Sequence, residues 1–377
     1  GDGGAGARGA APAAAAAGEV DMAVATLNTI FDALRIPFKL RFEQSLEPLP
    51  PVVVLYKLAS LLEFYARTIQ KYLGENSALS QILLDCNSVA MYAFFSSWKS
   101  KIEEFQSLNT SAPDDLGPPP SVVHSMTRLE EIMSTLDASL LPEDARESQI
   151  SAVLEVILNP LLRLCEKMAS KSLGVLEQQV FLSNCVDAMR APLVQFSFAS
   201  ERVGKLLSDA DSYIERYTQI ASSAVLRRCG LLDRLRKLRD APPDTPLATV
   251  PGMDVETLSI SMKNFYALLF SGEYPHHRPA SPPRSSSSPR PGAGPASAAT
   301  SSADSNLDPF AAPAIDRIAN PRLRSRARMA VARAVAEAHA ALHAAVLEPR
   351  NGYGPDVAMA VGLRDPEKVN VSLMGAN

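Results

Sequence analysis

The chain has 377 residues, and 37 Lys+Arg against 41 Asp+Glu leave a formal net charge of -4, which gives no electrostatic reason to expect nucleic acid as the main partner. Hydrophobic residues make up 46% and aromatics only 6%, with Leu and Ala prominent, a composition suited to helix-on-helix packing rather than a β-sandwich core. The four cysteines, Cys86, Cys165, Cys185 and Cys229, lie far apart and mostly within helical apolar patterns, where a thiol behaves as a small hydrophobe, so a reduced, cytosolic setting fits them.

The chain opens at Gly1 rather than Met, and a Gly/Ala/Pro-rich segment follows to Gly18. Residues 1–18 read as a low-complexity linker, neither an ordinary signal peptide nor a packed element, with further residues expected upstream. Residues 19–108 read as a first helical bundle segment. Its first helix is predicted from Glu19 to Leu34, burying Met22, Leu27, Ile30, Phe31 and Leu34 before Pro37 breaks it. After a corner at Pro48, Pro50 and Pro51, the residues Leu55, Leu58, Leu62, Tyr65, Ile69 and Tyr72 follow 3-4 spacing and predict one buried stripe on a helix that Gly74 stops. A helix from Ser77 to Leu108, with Phe94, Phe95 and Trp98 in its core face, should fold back as the antiparallel partner.

Residues 109–120 form a proline-rich corner that cannot continue a helix. Residues 121–271 read as a second helical bundle segment, with helices predicted at Ser121–Ala138, Pro142–Ser170, Gly174–Met189, Pro192–Cys229, Leu231–Arg239 and Asp254–Leu269. Within it Val203, Leu207, Ala210, Ile214, Tyr217, Ala221 and Ala224 repeat a seven-residue rhythm that needs a helical partner. Residues 272–306 shift to Pro, Ser, Ala, Gly and Arg and read as a disordered insertion. Residues 307–377 are a C-terminal helix and tail, with Val331, Val335, Leu342 and Val346 on one side of a helix over Pro321–Leu347. No stretch of 18 or more residues reads as apolar enough to span a bilayer, the nearest, Met329 to Leu347, carrying Arg333, Glu337, His339 and His343.

Chemistry is sparse against this helical patterning. The phosphate-cradling glycine motifs, Cys-x-x-Cys and Gly-x-Ser-x-Gly do not occur. His339 and His343 stand four apart, as zinc ligands on adjacent turns do. However, Ala340 occupies the position where a zinc peptidase places its glutamate base, and the pair reads as helix-face histidines. No catalytic, cofactor or metal residue is assigned. Two basic runs remain, Arg227, Arg228, Arg234, Arg236, Lys237 and Arg239, and Arg322, Arg324, Arg326 and Arg328. The second is the candidate partner or lipid surface, against the plainer reading of solvated helix faces.

Several collinear segments resemble the C-terminal part of the conserved oligomeric Golgi complex subunit 6 family. They are Pro37–Arg41 with Glu43 and Gln44, Leu55–Tyr65, Asp115–Pro120, Asp137–Leu140, Ile157–Leu162, Met253–Phe265 and Asp365–Val369. The resemblance implies an all-α fold, an elongated rod of stacked helical bundles of the tethering-subunit type, with no catalytic site. It implies a peripheral protein on the cytosolic face of the Golgi membrane, acting in intra-Golgi retrograde transport through contacts with other subunits of the complex, SNAREs, Rab GTPases and golgins. The competing expectation from helical patterning alone is an α-solenoid adaptor unrelated to tethering, which should show a recurrent unit of about 34–47 residues.

Overall fold

The computed structural model describes residues 10–107, 111–139, 143–242, 245–270 and 314–375. The stretch read as a disordered insertion, 272–306, lies outside them. The described residues form twelve α-helices joined by turns and short 3-10 segments, with no strand among them, so the all-α expectation holds. They divide into two compact units. The first draws on Gly1–Ala112, Pro118–Ser172 and Cys185–Leu207, the second on Pro113–Gly117, Leu173–Asn184 and Ser208–Asn377.

In the first unit, α1 (Ala10–Ser45), α2 (Val52–Leu73) and α3 (Ala78–Ser107) form the best-defined group. Gly74 ends α2 at φ 88°, a conformation that favours glycine, and its N–H closes on the Gln70 carbonyl at 2.9 Å. The chain then reverses. Ser80 donates to the Ala66 carbonyl at 3.2 Å, Asn87 donates to the Ala59 carbonyl at 2.7 Å, and the Tyr56 and Phe94 rings lie 5.5 Å apart, so α2 and α3 run antiparallel. On α3 the buried residues Ile82, Cys86, Ala90, Phe94, Trp98 and Ile102 form an unbroken i+4 ridge. Phe94 and Trp98 are therefore core residues, in edge contact at 6.5 Å.

The buried face of α2 is not the one that spacing selects. Val52, Leu55, Tyr56, Ala59, Leu62 and Ala66 face inward, whereas Tyr65 and Tyr72 of the predicted stripe are 50% and 81% exposed. Helix α1 departs further from expectation. It runs through Pro37, whose ring nitrogen offers no N–H to the Ala33 carbonyl, and Met22, Leu27, Ile30 and Leu34 are exposed rather than buried. Its contacts with α3 are polar as much as apolar. Asn28 accepts the Ala78 N–H at 3.0 Å and Arg35 pairs with Asp85 at 2.9 Å, while Phe42 packs on Ala59, Leu62, Cys86 and Ala90.

Also in this unit, α4 (Pro120–Asp137) starts on proline and buries Val122, Met126, Leu129, Ile132, Met133 and Leu136. Helix α5 (Glu143–Ser172) continues through Pro160. Helices α6 (Val175–Arg190) and α7 (Ser200–Arg228) contribute residues to both units. The helix expected from Pro192 begins only at Ser200. Two 3-10 turns precede it, because Phe196 is extended at φ -106° and ψ 113° and is buried close to Phe198, whose ring Arg146 overlies at 5.5 Å.

The second unit holds most of α7 and then α8 (Leu231–Asp240), α9 (Val255–Phe270), α10 (Pro321–Leu347), α11 (Val357–Val361) and α12 (Pro366–Gly375). Ala210, Ile214, Tyr217 and Ala221 of the predicted α7 rhythm are buried, with Leu206 in place of the exposed Leu207. On α10, Val331, Val335, Leu342 and Val346 are buried as predicted. Val335, Leu342 and Val346 share a core with Leu258, Met262 and Phe265 of α9, Val357 and Val361 of α11, and Val369 and Leu373 of α12. The tail is thus a docked pair of helices. Those two are too short to announce themselves by periodicity.

Asn184 fastens this unit. Its amide nitrogen donates to the Leu116 and Arg317 carbonyls, both at 2.8 Å, and its oxygen accepts the Ala319 N–H at 2.9 Å. Leu116 is held at φ 58° with its side chain buried, beside Gly117, where an added Cβ would stand 3.1 Å from an Asp115 carboxylate oxygen. Replacing Asn184 by Ala strands the buried Leu116 carbonyl, worth about 1–3 kcal/mol when unpaired, and removes the part-buried bonds to the Arg317 carbonyl and the Ala319 N–H, about 1 kcal/mol each. The variant is expected to lose at least about 2 kcal/mol in urea unfolding. A loss under about 0.5 kcal/mol, the size of an ordinary surface change, would show the amide to be incidental.

Candidate binding surfaces

The four arginines of the candidate surface lie on the first two turns of α10, where Pro321 takes the first helical position and Asn320 caps the helix, accepting the Arg322 N–H at 3.0 Å. At 3.6 residues per turn, Arg322 and Arg326 share one side, and Arg324 and Arg328 lie about 200° around from them. They do not form one patch. Arg324 donates from Nε to the Ile318 carbonyl at 3.0 Å, Arg326 pairs with Asp211, and Arg328 pairs with Asp316. Three of the four therefore hold their own unit together. Arg322 is exposed.

The other basic run is similarly engaged at several positions. On α8, Arg236 faces Asp233 at 3.6 Å, Arg239 contacts Asp240 at 3.2 Å, and Lys237 donates to the Pro251 carbonyl. Asp254 caps α9 by accepting the Thr257 N–H at 2.9 Å and its hydroxyl at 2.8 Å. Those Thr257 bonds, with Arg234 nearby, hold the Asp254 carboxyl below its usual range.

The histidine pair divides between core and surface. His339 is fully buried, stacked on Phe265 at 5.3 Å with 16° between planes, and its Nε2 meets the Tyr266 hydroxyl at 2.7 Å. That hydroxyl also accepts the Arg364 backbone N–H at 2.9 Å, so its own proton goes to His339 and the imidazole serves as acceptor. The Arg364 guanidinium lies 4.9 Å from the centre of the Tyr266 ring. The reading of His339 as a helix-face residue is corrected: it anchors the segment between α11 and α12. The sequence offers no warning, because a histidine between alanines suits either face. Burial, and then His343, lowers its pKa from 6.5 to about 4.

Burial also raises the thiol pKa of Cys86, that of Cys229 to about 11, and that of Cys185 well above the ordinary value, with Cys165 alongside it. These thiols are protonated core groups at neutral pH. Among the described residues no group of three or more His, Cys, Asp and Glu is placed to hold a metal. Three helices, within Ala78–Ser107, Arg146–Ser172 and Pro321–Leu347, are long and apolar enough by length and composition to cross a membrane, which corrects the expectation that none would be. The charged residues sit at their ends or are spaced widely enough to leave an apolar window. Helix α3 supplies the buried ridge from Ile82 to Trp98, and α10 buries Val331, Val335 and Leu342.

What remains open to solvent is helix face. On α2, Val54, Leu61, Phe64, Tyr65 and Tyr72 are exposed on the side away from its buried stripe, and α1 adds Ile30, Leu34 and Phe38. Exposed apolar area concentrated on helix faces marks the usual equipment for protein contact. The class these features define is an all-α helical-bundle protein with apolar faces turned to solvent.

Residues 15–274 match the family described as Conserved Oligomeric Golgi complex subunit 6, C-terminal, and the chain belongs to that family. It is 27% identical over 293 residues to the conserved oligomeric Golgi complex subunit 6 of Arabidopsis thaliana, covering 68% of this chain and 43% of the relative. It is 30% identical over 231 residues to the proteins of that name from Rattus norvegicus and Homo sapiens, covering 61% of this chain and 35% of each relative. The chain thus spans less than half the length of these curated relatives.

A pH dependence follows from His339. Because its folded pKa lies below the ordinary value of 6.5, the unfolded chain takes up a proton that the folded chain refuses, so stability is full above about pH 6.5 and declines toward pH 4. The urea midpoint of the second unit is expected to fall between pH 7 and pH 5, and to fall less in a His339→Gln variant, which keeps an acceptor for Tyr266 without titrating. Equal falls in both proteins would assign the effect elsewhere.

Proposed function

We propose that this chain is part of a subunit of the conserved oligomeric Golgi tethering complex, acting in intra-Golgi retrograde vesicle transport by protein–protein binding and without catalysis. The observation that carries the reading is the family match over residues 15–274. The chain works at the cytosolic face of the Golgi membrane as a peripheral protein, bound to other subunits of the complex. SNAREs, Rab GTPases and golgins are the further partners of this reading. Holding a vesicle through several such contacts raises the local concentration of fusion partners to roughly the millimolar range, as short linkers do for paired modules. The competing α-solenoid adaptor finds no support in the helix lengths, which run 22, 30, 18, 30 and 16 residues from α2 to α6 without a recurring unit.

On α10 we propose Arg322 as the cation that faces a partner, since Arg326 and Arg328 are committed to Asp211 and Asp316. The test is affinity capture from a Golgi and cytosol extract with the tagged chain, followed by mass spectrometry. Recovery of other complex subunits is expected. An Arg322→Glu variant should recover less of them with an unchanged melting temperature, whereas Arg328→Glu, by setting a carboxylate against Asp316, should lower stability by about 1 kcal/mol. Recovery of no complex subunit would sink the tethering assignment, and undiminished recovery by Arg322→Glu would remove that residue from the contact.

A further inference from the structure

Helix α2 is apolar on two sides. Its inner stripe meets α3, while on the outer side Val54, Leu58, Leu61, Tyr65, Thr68 and Tyr72 follow 4-3-4-3-4 spacing, the seam of a coiled coil with Val54, Leu61 and Thr68 at d and Leu58, Tyr65 and Tyr72 at a. The seam runs about 27 Å along the helix. Leu58 is half-buried against the inner core, but Val54 is 47% exposed, Leu61 and Tyr65 are each 50% exposed, and Tyr72 is 81% exposed. Thr68 turns its hydroxyl back to the Phe64 carbonyl at 2.8 Å, which leaves its methyl for the seam. Phe64 and Tyr65 stand edge to face at 5.6 Å, a preformed aromatic pair of the kind that dominates interface energetics.

The flanking charges say what fits. The residues before each a position, the g positions of the heptad, are Lys57, Phe64 and Lys71, and the two lysines are exposed and form no ion pair among the described residues. Glu63, the one carboxylate on α2, is taken by Arg67 at 2.6 Å and by Gln149. The opposite edge is Leu55, Leu62 and Ile69, whose first two members are buried in the home core. A second copy of this chain does not suit the seam. Antiparallel pairing sets Lys57 against the other Lys71, and parallel pairing sets both lysines against apolar residues.

We infer that the outer seam of α2 docks an amphipathic helix of a partner protein, with aliphatic residues in heptad spacing and two carboxylates two heptads apart on the edge facing Lys57 and Lys71. Those lysines stand about 21 Å apart along the axis. This names a surface for the partner contact proposed above and rests on that reading for its biological setting. The geometry itself is tested on the purified chain, so it fails separately from the extract capture.

The probe is a fluorescent peptide of three heptads with Leu at a and d and Glu at e and g, which repels its own copies and stays single. Its twin carries Lys at e and g. Anisotropy titration with the full chain is expected to show saturable binding of the Glu peptide and at least tenfold weaker binding of the Lys peptide. A Leu61→Asp, Tyr65→Asp variant should lose the Glu peptide with an unchanged thermal melt, and Lys57→Glu with Lys71→Glu should invert the preference. Failure of both peptides to bind, equal binding of the two, or undiminished binding to the Leu61→Asp, Tyr65→Asp variant overturns the inference. Sedimentation with phosphatidylserine vesicles that depends on Leu61 and Tyr65, with no peptide bound, would assign the seam to a membrane and overturn it as well.

Discussion

The side-chain amide of Asn184 is the point on which the second unit turns. Leu116 on one side and Arg317 and Ala319 on the other end their backbone hydrogen bonds on it, so a left-handed leucine turn and the strand of chain leading into α10 are held to the same helix. A buried amide that fills its donors and its acceptor with backbone groups specifies one arrangement, because any shift leaves polar atoms unpaired at a cost larger than a typical side-chain contact returns. Once that lead-in is set, α10 can lay its apolar stripe on α9, α11 and α12. His339 adds a second polar anchor within that core, tying the Arg364 backbone to α9 through Tyr266.

Helix existence was legible from periodicity and punctuation, since Gly74 and Pro321 mark ends that the structure keeps and the helix expected from Ser121 begins one residue earlier at Pro120. The inward face was less legible. A stripe reads clearly only when the other side of the helix is polar, and α2 carries Leu, Val, Tyr and Phe around most of its circumference. The 3-4 spacing from Leu55 to Tyr72 mixed inner residues such as Leu62 with outer ones such as Tyr65. On α1, pattern again predicted burial, but Met22, Leu27, Ile30 and Leu34 are exposed, and the helix meets α3 instead through Asn28, Arg35 and Phe42.

The anchors were harder still. Asn184 sits in the run Val180-Phe181-Leu182-Ser183-Asn184-Cys185-Val186, and a polar residue inside such a run is the one available signal of a buried hydrogen-bond hub. The row of arginines on α10 looked like one patch because they alternate in sequence, but alternation on a helix sends neighbours to opposite sides. Spatial pairing with Asp211 and Asp316 then turned two of them into structural groups. A family resemblance spread over collinear segments proved more informative about identity than any of these local clusters.

In the proposed reading this chain acts through exposed helix faces, and the outer seam of α2 is the docking surface inferred for a partner helix. Zero-length carbodiimide cross-linking of the complex assembled around the full-length subunit tests this directly, because it joins an amine only to a carboxylate already in contact. The account predicts links from Lys57 and Lys71 to acidic residues two heptads apart on one partner helix. Links to partners from lysines elsewhere on the chain, with none from Lys57 or Lys71, would contradict it.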